Sequence, residues 1–147
     1  MLCGRKKTAI MPALHPLSLL SFETSDKYTL FQLECEQTAF PLFSAPLPYS
    51  KSHIENPHIT PSLFSLVHQI PQCFDANWFQ VVFHGCTRYI FKAKAYLHHE
   101  EASKAQITEF EIKPSDALLL SLTEKLDLYC TDSLLQRLKV SYAGLNN

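Results

Sequence analysis

Two neighbouring runs alternate apolar and polar residues with a period of two, and that period restricts the fold more than any other feature of the chain. In RYIFKAKAYLHH (88–99), Tyr89, Phe91, Ala93, Ala95 and Leu97 fall on one side, and Arg88, Lys92 and Lys94 on the other. In AQITEFEIK (105–113), Thr108, Phe110 and Ile112 oppose Glu109, Glu111 and Lys113. Successive side chains of a strand point to opposite faces, so both runs read as half-buried strands. With NWFQVVFHG (77–85) before them they predict an antiparallel meander with one wet face. The basic row Arg88, Lys92 and Lys94, with Tyr96 beyond it, could track a nucleic-acid backbone. Glu109 and Glu111 on the next strand instead predict cross-strand pairs that neutralise it.

The N-terminal half repeats the β pattern. PLSLLSFET (16–24) and KYTLFQLEC (27–35) form a hairpin around Ser25-Asp26, and TAFPLFS (38–44) adds a third strand. Pro41 cannot donate to a ladder, which predicts an edge position for that strand. APLPYSKSHIENPH (45–58) is a proline-rich loop. TPSLFSLVHQI (60–70) reads as a helix, with Thr60 as N-cap, Pro61 in the first turn and Pro71 as its stop.

Lys113-Pro114-Ser115-Asp116 leads from the last alternating run into a leucine-rich helix over 114–126. Pro114 has the backbone angle of a first helical turn, and Asp116 meets the positive end of the helix dipole. LDLYC (126–130) is a short strand, and Thr131 caps a final helix over 132–139. The pattern predicts one α+β domain, a mostly antiparallel sheet with helices packed on one face. Residues 1–13 read as a loose basic arm, 14–140 as the domain and 141–147 as a tail.

At 147 residues and 46% hydrophobic content the chain suits a single core. A net charge of −1 builds no long-range attraction to polyanions, so anion binding must be local. Only 3 glycines against 9 prolines predict few left-handed turns, and leave no glycine loop to cradle phosphate. The five cysteines are unpatterned and read as reduced thiols of a cytoplasmic protein. No apolar run approaches the roughly 20 residues of a membrane span. MLCGRKKTAIMPALHPLSLLSF (1–22) is broken by Pro12, His15 and Pro16, unlike a secretory leader.

The segment FEIKPSDALLLSLTEKLDLYCTDSLL (110–135) resembles the C-terminal signature of the bifunctional nuclease (BFN) family. There an acidic or hydrophobic strand runs into R-P-S-D-A, an apolar helix, a short strand and another helix. Pro114, Ser115, Asp116 and Ala117 match, and Lys113 stands where the family has arginine. QVVFHGCTRYIFKAKAYLHH (80–99) resembles the family's preceding strand pair. The second family signature, near P-R-P-x-T-H-D-L-L, aligns with NPHITPSLFSLV (56–67), and its His and Asp fall on Pro61 and Ser62.

The resemblance implies hydrolysis of phosphodiester bonds in RNA or DNA, assisted by a divalent cation, Mg²⁺ or Mn²⁺. Lys113, Ser115 and Asp116 are then the catalytic candidates and Asp116 the metal ligand. Lys92, Lys94 and His58 are candidate substrate contacts, with His58 standing in for the missing histidine. Glu109 and Glu111 are the candidates for a second carboxylate. Because Pro61 and Ser62 depart from the family pattern, the alternative is a non-catalytic, self-associating interaction or regulatory module, expected as a homo-oligomer such as a dimer. A third reading is a small-anion binder using the same helix N-terminus.

Overall fold

A computed structural model describes residues 13–47, 54 and 63–142. These form one seven-stranded sheet and three helices. The strands are β1 (Leu14–Thr24), β2 (Thr29–Cys35), β3 (Thr38–Ser44), β4 (Ala76–Thr87), β5 (Ile90–Glu101), β6 (Lys104–Ile112) and β7 (Asp127–Thr131). The helices are α1 (Leu63–Gln72), α2 (Pro114–Glu124) and α3 (Asp132–Tyr142). The sheet order is β3-β2-β1-β7-β4-β5-β6. Two three-stranded antiparallel meanders thus flank β7, which runs antiparallel to β1 and parallel to β4. The expected α+β class holds, with helices on one face of a mostly antiparallel sheet. Pro41 lies on an edge strand, as its missing N–H requires.

The core lies between the sheet and its helices. Phe31, Leu33, Phe40, Val81, Phe83, Ala93 and Ala95 from the strands meet Ala117, Leu118 and Leu120 of α2 and Leu134, Leu135 and Leu138 of α3. The alternation in β5 has its expected meaning from Phe91 onward: Phe91, Ala93 and Ala95 are buried. It does not extend to Arg88 and Tyr89. These two form the turn between β4 and β5, with φ of 51° and 67°. Tyr89 is therefore 83% exposed rather than in the core.

The scarcity of glycine does not keep the chain out of left-handed turns. Glu36-Gln37, Arg88-Tyr89 and Ala102-Ser103 all have positive φ and join paired strands through two-residue loops. Two-residue hairpins need this mirror-image turn because it matches the right-handed strand twist. The topology imposes it on whichever residues stand there.

Pro71 does not stop α1, which continues to Gln72. A proline in the last turn withholds one N–H, leaving the carbonyl four residues earlier without its helical donor. That carbonyl is Val67 O, and the Trp78 indole N–H donates to it at 3.1 Å. β4 thereby repairs the defect and fixes α1 to the sheet. The expected start of α1, with Thr60, Pro61 and Ser62, lies outside the described residues. At its other side, His68 pairs with Glu124 at the end of α2. The Thr131 hydroxyl accepts the Leu134 N–H at 3.4 Å, so the predicted cap of α3 is present. α3 runs to Tyr142, past the expected end of the domain, because the Tyr142 ring packs against Phe40.

The start of α3 is tied down by charge. His15 lies 2.8 Å from Glu36 and 3.0 Å from Asp132, and Lys139 lies 3.2 Å from Glu36. The Lys139 hydrogen bond, helped by His15, holds the Glu36 carboxyl below its ordinary value. A depressed carboxyl stabilises the fold above its unfolded value and stops doing so as pH falls through the folded one. Glu36→Gln is thus expected to lower the melting temperature at neutral pH, with the difference vanishing in the acid range below 4.5; an equal deficit at every pH would contradict the linkage. Replacing Ala102-Ser103 by Asn-Gly is expected to raise unfolding free energy by about 1 kcal/mol in urea titrations, since it relieves two left-handed non-glycine residues; no gain would show that the turn is unstrained.

Candidate functional site

Lys113 follows β6 directly and is the N-cap of α2, with extended backbone angles of −60° and 135° and no side-chain cap bond. The first helical hydrogen bond runs from Ala117 N–H to Lys113 O at 2.9 Å. A lysine here can neither accept a backbone N–H nor complement the positive end of the dipole. Nothing in the folding of α2 calls for a cation at this point. The β5–β6 register ends at Ala93↔Ile112, one residue before Lys113, and Lys92 shares the strand parity of Lys94 on the face away from the helices.

Lys113 and Ser115 line one cleft of about 220 Å³ together with Leu42, Phe43, Tyr89 and Ile90. Ser115 is buried apart from this opening. Asp116 is exposed and is not among the lining residues of that cleft. Of the three catalytic candidates, the fold thus brings Lys113 and Ser115 together and places Asp116 outside their cleft. Among the described residues, neither Ser115 nor Asp116 makes a side-chain hydrogen bond or ion pair.

Glu109 and Glu111, the candidates for a second carboxylate, are engaged on the sheet. Glu109 and Glu111 pair in register with Tyr96 and Lys94 on the face of the sheet away from the helices. Lys94 binds Glu109 at 2.9 Å and lies 3.9 Å from Glu111, which also meets His84 at 3.4 Å. The Glu109 hydrogen bond is the main cause that raises the Lys94 pKa, and burial raises that of the adjoining Tyr96. Lys94 is consequently engaged by acids and is not open to a phosphate chain. This is the neutralisation that the alternation predicted. Lys92, one strand step away, has no such partner. His58 lies outside the described residues.

Among the described residues there is no group of three His, Cys, Asp or Glu side chains placed to hold a metal ion. Asp116 alone does not make a metal centre. Thiol chemistry is disfavoured in the core as well. Burial pushes the Cys130 thiol up to about 12 and raises Cys35 also, so both stay protonated.

A second cleft, of about 590 Å³, adjoins the first. Its lining includes Arg88, Tyr89, Gln136, Arg137 and Tyr142. The Arg137 guanidinium donates to Cys86 O at 2.7 Å, which fixes it beside the β4–β5 turn. Tyr89 lines both clefts and forms the ridge between them. Arg88, Lys92, Lys113 and Arg137 have no carboxylate partner among the described residues, whereas Lys94 and Lys139 do. This end of the molecule therefore gathers uncompensated positive charge around an exposed aromatic ring, although the whole chain carries −1. Arg137 gave no local signal in the sequence, because its role depends on a partner 51 residues away. Alternation assigns Tyr89 to the apolar face with Phe91, whereas the turn exposes it.

No protein-family model matches the chain, and no curated protein matches it.

Because Asp116 has no partner to lose, Asp116→Asn is expected to cost only its dipole interaction, about 0.3–1 kcal/mol in chemical denaturation. A loss several times larger would mean that the carboxylate is structural.

Proposed function

We propose that this chain is a divergent BFN-type domain that binds RNA or DNA through its phosphates at the end of the sheet formed by the β4–β5 turn and the start of α2. The observation that supports this most is the set Arg88, Lys113 and Arg137, which lack acidic partners among the described residues and line the two clefts that share Tyr89. Phosphates are neutralised by such cations, and bases stack on exposed aromatic rings. The helix N-terminus beside Ser115 adds an oriented dipole to the same field. Lys113 acts here as a point charge, without the bidentate fork of the arginine it replaces. Arg88 and Arg137 supply two such forks in the adjoining cleft.

Hydrolysis by the same domain is a second reading. It is favoured by Asp116, whose carboxylate is exposed and unengaged rather than used as a cap. Among the described residues no group of three His, Cys, Asp or Glu side chains is placed to hold a metal ion, so binding is the better supported half of the proposal. A third reading is a non-catalytic, self-associating module. It is favoured by β6, an edge strand of 9 residues whose side chains are exposed along nearly its whole length.

The test is fluorescence anisotropy with a labelled single-stranded RNA at low salt. Binding should weaken linearly in log–log form with added salt, with a slope of about −2 to −3 if three or four phosphates are contacted. Arg88→Ala combined with Arg137→Ala should raise Kd about tenfold or more and flatten the slope. Absence of binding at about 50 mM salt would contradict the proposal. Cleavage with Mn²⁺ or Mg²⁺ that disappears in Asp116→Ala would support the hydrolytic reading, and cleavage that survives it would remove Asp116 from that role.

A further inference from the structure

We infer that β6 pairs antiparallel with β6 of a second copy of this chain, in a two-fold register centred on Thr108. The inference rests on the self-associating reading above and specifies its surface and alignment. β6 uses one side to pair with β5, from Ala93↔Ile112 to Glu101↔Lys104. It is the last strand of the sheet, so among the described residues no strand meets its other side. It contains no proline, and no register shift interrupts its pairing with β5. Ile107 is 61% exposed and Phe110 43%. A long, straight edge with apolar side chains is a template for another strand unless it is blocked.

The opposite edge is blocked. β3 carries Pro41 in the middle of its ladder with β2. Its missing N–H weakens that edge as a template, so head-to-tail pairing of β6 with β3 of the next copy is disfavoured. A closed, self-complementary contact between two β6 strands remains.

Charge then selects the register. In a two-fold antiparallel pair, one residue of β6 faces its own copy and the others are reflected about it. Centring on Glu109 would set two glutamates face to face, and centring on Phe110 would set Glu109 against Glu111. Centring on Thr108, the midpoint of Lys104–Ile112, overlaps all 9 residues and opposes no like charges. Ile107 then faces the partner's Glu109, Gln106 faces the partner's Phe110, and Lys104 faces the partner's Ile112. Thr108 faces Thr108 of the partner subunit, on the helix side of the sheet. Lys94 already holds Glu109 toward β5, which limits repulsion along the other face. The helices of both copies lie on one side of a continuous sheet, and the basic ends of the two copies remain open.

The test combines light scattering with cysteine cross-linking in a Cys73→Ser background, since Cys73 is exposed. The parent chain should run at twice its 16.8 kDa mass. Thr108→Cys should give a disulfide-linked dimer under mild oxidation, because facing strand residues lie within disulfide range. Gln106→Cys, whose own copy lies four residues away along the ladder, should not cross-link. Thr108→Lys should weaken the dimer at least about tenfold without lowering monomer stability, since the side chain is exposed and two cations would face each other. A monomeric parent chain would overturn both self-association and this register. A dimer that cross-links at Gln106 and not at Thr108 would keep the β6 edge and overturn this register, and a dimer indifferent to Thr108→Lys would leave self-association standing and overturn this edge.

Discussion

The pairing of β7 with both β1 and β4 is the interaction on which the rest of the structure depends. Without it the chain would hold two three-stranded meanders, each with an open inner edge. β7 closes both edges within five residues, burying Leu128 and Cys130 beneath the helices. Its two neighbours come from the first and the middle parts of the sequence and β7 itself follows both, so the strand that completes the sheet is the last of the seven to be made. Parallel pairing with β4 also demands a crossover, and β5, β6 and α2 supply it.

That placement builds the candidate site. α3 follows β7 directly, so seating β7 beside β4 lays α3 over the end of the β4–β5 hairpin. Arg137 then reaches Cys86 O and is held next to Arg88 and Tyr89. α2 leaves β6 at the same end, bringing Lys113 and Ser115 to the other side of Tyr89. The cations converge through three separate connections in the chain. Acids are present in almost equal number over the whole sequence, but Glu109 and Glu111 are directed to the opposite face by strand parity. Local positive charge in a nearly neutral protein is thus a product of topology rather than of composition.

Most elements were legible in the sequence because alternation, capping and proline positions act locally. The two period-two runs became β5 and β6, Thr131 capped α3, and Pro41 marked an edge. What local rules could not supply was strand order, since nothing in LDLYC says that it lies between β1 and β4. Tyr89 was misread because alternation was carried two residues too far, into a turn that topology forced without glycine. Pro71 was misread because its defect is repaired by Trp78, a partner outside the helix. In the candidate site, Lys113 and Ser115 were brought together as expected. Asp116 was not, because the strand end and first turn direct adjacent residues differently. The resemblance to the BFN family drew attention to the start of α2. It gave no sign of the Arg88–Tyr89–Arg137 cleft beside it.

The most direct measurement is hydrogen–deuterium exchange of the whole chain with and without a single-stranded RNA. If the basic end around Tyr89 is the binding surface, slowing on RNA addition will concentrate in peptides covering 86–91, 113–117 and 136–142. Protection confined to β6, or no change at saturating RNA, would contradict the account.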